Sequence, residues 1–61
     1  MTVYIVCGNR YDGINDEFVT ENIAVYADEQ EAQALADRAQ TFDENEGYLC
    51  NSYWVETWEV Q

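Results

Sequence analysis

The side chains able to do chemistry in this 61-residue chain are thirteen carboxylates, opposed by two Arg, no Lys and no His, for a net charge of -11. Two runs concentrate them: Asp12-Gly-Ile-Asn15-Asp16-Glu17 and Asp43-Glu44-Asn45-Glu46. Carboxylates at this density suit cation binding, paired acid–base hydrolysis or recognition of a basic surface. Calcium loops of the EF-hand type alternate their ligands as D-x-[DN]-x-[DN]-G, and neither run does, so no metal site is assigned. Paired-carboxylate hydrolysis needs a cleft, which a small sheet with one helix offers poorly. Acyl transfer lacks its parts, because the single serine, Ser52, lies in a strand-like segment with no histidine or lysine to activate it. The chain is read as non-catalytic, with no cofactor.

Recognition by charge remains. A surface this acidic repels nucleic acid and membranes and is steered toward strongly basic partners. Direct nucleic-acid binding is excluded on the same ground, since there is no basic stripe. DNA carries one negative charge per roughly 1.7 Å of axis, and the proteins that hold it line their grooves with Lys and Arg. A rigid array of carboxylates can occupy such a groove, with salt-sensitive affinity. The plainer reading is that the acidity serves solubility alone.

The elements that must position these acids are legible around one stretch. Ile23 to Ala27 is β-branched and aromatic at alternate places, as in a strand. Asp28 then stands where a helix N-cap belongs, with Glu31 three residues later completing a capping box. Ala32, Leu35, Ala36 and Ala39 come next at helical spacing and form a narrow stripe of small residues suited to close packing on a sheet. The predicted helix covers 29–40. Thr41 to Gly47 reads as a loop in which Phe42 folds back over the last helical turn, with Asp43, Glu44 and Glu46 too polar to lie inside. Val3 to Cys7 is a first strand ended by a turn at Gly8-Asn9; 19–27 is the second; Tyr48 to Val60 holds the third. In the third, Tyr53, Val55 and Thr57 share one face while Trp54, Trp58 and Val60 share the other, with Glu56 between them.

The expected fold is therefore α+β, a single ββαβ domain of 1–61 whose three-stranded antiparallel sheet has order 2-1-3 with one helix on one face. Tracking chain direction brings the loop 8–18 and the loop 41–47 to the same end. Asp12, Asp16, Glu17, Glu21, Asp43, Glu44 and Glu46 then form one acidic cap, with Arg10 the nearby base. The same geometry brings Cys7 toward Cys50, close enough for a disulfide in an oxidising setting; in a reducing one both are expected to be buried free thiols. The uncovered sheet face would expose part of the set Tyr4, Tyr26, Trp54 and Trp58, a reason to expect a homodimer or a docked partner there. Whether Ile23 and Val25 or Ala24 and Tyr26 point inward is left open by the pattern.

Composition agrees with a folded but slight domain. Hydrophobic residues make up 48% of the chain, too many for a disordered acidic tail. A chain this short buries only about 60 % of its unfolded surface. No run approaches the roughly 18 apolar residues of a membrane span, and there is no signal-peptide pattern at the start, so a cytoplasmic protein is expected.

The frame Val3-Tyr-Ile-Val, Ile23-Ala-Val-Tyr26-Ala-Asp28-Glu-Gln-Glu31-Ala32 and Tyr53-Trp-Val55-Glu-Thr-Trp58-Glu-Val60 resembles small phage and bacterial domains of ββαβ type. In size, acidity and lack of lysine the chain is similar to phage-encoded DNA-mimic inhibitors of host defence, anti-CRISPR and anti-restriction proteins among them. That resemblance implies an inhibitor acting in the host cytoplasm, whose partner is the basic nucleic-acid-binding site of a CRISPR effector or restriction enzyme. Asp12, Asp16, Glu17, Glu21, Asp43, Glu44 and Glu46, with Trp54 and Trp58 as anchors, would be the partner-binding residues. The alternative is a structural or assembly module that binds a protein partner through its aromatic sheet face.

Overall fold

A computed structural model describes residues 1–61. Three strands and one helix are arranged along the chain as β1 (Thr2–Asp12), β2 (Glu17–Tyr26), α1 (Glu29–Asn45) and β3 (Ser52–Glu59). The sheet is antiparallel with order β2-β1-β3, so the fold is the expected α+β arrangement.

β1 runs past the expected turn at Gly8-Asn9, pairing as far as Asp12↔Glu17. Gly8 is there for space, not for a turn. A Cβ on it would meet Ile23 Cδ1 at 2.8 Å and the Tyr53 ring at 2.9 Å, so these side chains close over bare backbone. The true turn, Gly13 to Asp16, is held by Asp12, whose carboxylate accepts from the Ile14 N–H (3.0 Å) and Asn15 Nδ2 (2.8 Å). Asp16 closes it in the left-handed region at φ 54°.

A bulge settles the alternation left open by the sequence. The register passes from Val6↔Ala24 to Cys7↔Asn22, leaving Ile23 as the extra residue. Tyr26 packs on the core, Ile23 closes over Gly8, and Val25 is exposed on the opposite face.

Asp28 caps α1, its side chain accepting from the Gln30 N–H at 2.8 Å. Glu31 is exposed in the first turn and adds favourable charge there without making the return bond of a capping box. Ala32 and Ala36 are fully buried, and Val6 beneath them is 0% exposed, with Tyr4, Tyr26, Leu35, Tyr53 and Val55 packed around.

The helix does not stop at Gln40. It continues to Asn45 and ends in a Schellman arrangement: Gly47 at φ 89°, with Tyr48 N–H donating to the Asp43 carbonyl (2.7 Å) and Gly47 N–H to that of Glu44 (3.2 Å). This extension overturns two expectations. Phe42 is 62% exposed rather than folded over the helix, and Asp43 is buried, because it lies seven residues beyond Ala36 on the same stripe.

Candidate interaction surfaces

The hairpin turn and the segment 46–51 do lie at one end of the molecule. Asn51 joins them: its Oδ1 accepts from the Tyr11 N–H at 3.0 Å, and its Nδ2 donates to Asp43 at 3.0 Å. Gln40 fixes the same segment from the helix, donating to the Asn51 carbonyl (3.1 Å) and accepting from the Tyr53 N–H (3.1 Å).

The carboxylates at this end are not equivalent. Asp43 faces inward, accepting from the Tyr53 hydroxyl and Asn51. Those two bonds, with Arg10 nearby, hold its pKa below the ordinary value despite burial. Burial together with that ionised partner pushes the Tyr53 hydroxyl up. Arg10 lies 5.9 Å from the Tyr53 ring centre, a cation–π distance. Asp12 is engaged in the turn, where the Asn15 side chain and the Ile14 N–H lower its pKa. Asp16 accepts from the Tyr11 hydroxyl, raising the pKa of that phenol. Glu17, Glu44 and Glu46 are exposed and make no side-chain hydrogen bond. Glu21 leaves the cap altogether: it pairs opposite Gly8, on the order of 13 Å along β2 from Glu17. Asp43 and Glu21 are thus corrections to the expected acidic cap. Its outward carboxylates are Glu17, Glu44 and Glu46, with Asp12 and Asp16 beside them. Nowhere do three carboxylates or thiols converge closely enough to hold a metal ion.

The other surface is the side of the sheet away from α1. Alternation puts Val3, Ile5, Cys7, Asn9 and Tyr11 of β1 there, with Phe18, Thr20, Asn22 and Val25 of β2 and Trp54, Glu56 and Trp58 of β3. Of the set Tyr4, Tyr26, Trp54 and Trp58, expected in part on this side, the two tryptophans lie here and the two tyrosines pack on the helix side. Nothing in the chain covers the face: Val25 is 62% exposed, Phe18 55% and Trp58 54%. Tyr11 and Phe18 pack as a tilted aromatic pair, 5.5 Å between centroids.

Glu56, expected only as a spacer between tryptophans, links them along the edge strand β3, opposite Ile5 of the central strand. Trp54 Nε1 donates to one carboxylate oxygen at 3.3 Å and Trp58 Nε1 to the other at 3.2 Å. The indoles hold its pKa below the usual carboxylate range. The sequence signal is Trp-x-Glu-x-Trp in a strand, which puts all three side chains on one side.

The cysteines do not pair. Cys7 is buried, directed at Asn22 Oδ1 (3.5 Å), and stands opposite Trp54. Cys50 is exposed and four residues before Trp54, on the order of 10 Å away or more, beyond the span a disulfide bridges. No helix is long and apolar enough to cross a membrane.

The chain gives no match to a protein-family model, and no significant match to a curated protein or a solved structure.

Proposed function

We propose that this is a non-catalytic binding protein that docks on a basic protein partner through the uncovered sheet face, its acidic rim steering the encounter. The observation that carries this reading is the aromatic and aliphatic surface of Tyr11, Phe18, Val25, Trp54 and Trp58, left open by a helix on the opposite side. Exposed Tyr and Trp are the anchors from which interfaces draw most of their energy. A net charge of -11 accelerates association with a positive surface and disfavours self-association. The test compares capture of partners from host lysate by the wild type, by Trp58→Ala, and by the triple variant Glu17→Gln, Glu44→Gln, Glu46→Gln. Loss with Trp58→Ala and only slower binding with the triple variant supports the sheet face; the reverse pattern defeats it.

A second reading is favoured by a different observation, the convergence of the hairpin turn and segment 46–51 at one end. In it the protein is an inhibitor that presents Glu17, Glu44 and Glu46, with Asp12 and Asp16, as a DNA mimic to the nucleic-acid groove of a defence protein. The structure weakens the cap by turning Asp43 inward and displacing Glu21. Competition decides it: a partner that still binds its nucleic acid when complexed, or a complex indifferent to added salt, excludes mimicry.

A further inference from the structure

We infer that Glu56, framed by Trp54 and Trp58, is a receptor for an arginine side chain presented by the docked partner; this rests on the open sheet face being the docking surface and names what that surface reads. Register makes Glu56 the single charged side chain of the strands on that face, half-buried among Ile5, Cys7 and the two indoles. A half-buried carboxylate among apolar side chains is costly to cover with a partner unless a cation meets it there.

The site is organised before any ligand arrives. Each carboxylate oxygen takes one indole N–H, which fixes its plane and leaves lone pairs free for a second donor. The same bonds favour the ionised form. A guanidinium fits both components, since its planar fork donates to a carboxylate in pairs and it stacks on indole faces better than an ammonium does.

A second copy stacked sheet to sheet has no arginine to supply there. Arg10 alternates to the helix side, beside Tyr53, and Arg38 lies on the outer surface of α1 with Asp37, Thr41 and Phe42. Two sheets stacked face to face would bury two Glu56 carboxylates without a countercharge. Charge complementarity therefore selects a basic partner over a face-to-face homodimer, and the net charge of -11 opposes other self-contacts.

The test titrates the folded protein with acetyl-Gly-Arg-Gly-amide and with its neutral citrulline counterpart at constant ionic strength, monitoring the indole N–H resonances of Trp54 and Trp58 by NMR. Saturable shifts of both resonances with the arginine peptide are expected. Binding should weaken about tenfold or more with citrulline, and likewise with Glu56→Gln, which keeps the shape and removes the charge. Equal responses to the two peptides, unchanged binding by Glu56→Gln, or a lysine peptide as tight as the arginine one would overturn the assignment. So would a dimer of the pure protein in sedimentation that Trp58→Ala disperses, since the face would then belong to a second copy. Partner capture lost in Trp58→Ala but intact in Glu56→Gln overturns the arginine receptor alone; capture intact in both overturns the docking surface with it.

Discussion

The Tyr53 hydroxyl on β3 donates to the Asp43 carboxylate on α1, so a polar bond closes the seam between helix and sheet where the alanine stripe ends. Only six of 61 residues are buried, so each such bond holds a large share of the register between the two layers. Tyr53→Phe removes the donor and leaves a buried carboxylate with Asn51 as its remaining close partner. Unfolding in urea should show a loss of about 1–2 kcal/mol with an unchanged slope.

Acid should act on the same pair. The folded-state pKa of Asp43 lies below its ordinary value of 3.8, through its bonds to Tyr53 and Asn51. Its ionisation therefore adds stability in full above 3.8, and that contribution disappears as pH falls through the lower folded value. The stability difference between the wild type and Asp43→Asn is expected to be greatest near neutrality and to narrow below about pH 4. Denaturation midpoints from pH 7 down to 2.5 would show it, and a difference constant with pH would contradict it.

Strand order and the start of the helix were legible because local signals act in concert there. Asp28 can cap only a helix on its C-terminal side, and the spacing of Ala32, Leu35, Ala36 and Ala39 admits one face. The end of the helix was not, because Asp43 looks like a loop residue by type while its position continues the stripe. Its burial depends on Tyr53 and Asn51, partners from after the helix that no local window contains. Gly8 misled for a related reason: a glycine that permits close approach has the same letter as one that turns the chain. At the candidate site, the shared face of Trp54 and Trp58 is set by strand alternation. The engagement of Asp12 and Asp16 within the hairpin, and of Glu56 between indoles, depends on side-chain geometry that alternation does not convey.

Gly8→Ala tests the close approach directly. The added methyl would fall 2.8 Å from Ile23 Cδ1 and 2.9 Å from Tyr53 Cε1; the isoleucine end can rotate away, whereas the ring is held by its hydroxyl bond to Asp43. A loss of about 1–3 kcal/mol is expected, as for overpacking in a small core. Pairing Gly8→Ala with Tyr53→Ala should recover part of that loss in a double-mutant cycle, because the second change removes the obstructing ring.

The two thiols should react on different schedules. Cys50 is exposed in the segment before β3, while Cys7 is 2% exposed and in contact with Asn22. Burial, reinforced by the negative charge of Glu56, raises the Cys7 pKa and so lowers its thiolate fraction. Native protein treated with a thiol-specific disulfide reagent at pH 8 should release one equivalent promptly, and a second far more slowly, through openings of the sheet face that are brief compared with the reaction, so that its rate scales with the reactivity of the thiolate. Urea should merge the two phases. Glu56→Gln should quicken the slow one modestly if the sheet face opens as readily as before, since it removes the nearby negative charge without exposing the sulfur. Prompt reaction of both thiols in native protein would mean that the tryptophan-bearing face does not shield Cys7, and a single oxidised species with no free thiol would contradict the register that sets Cys7 opposite Trp54.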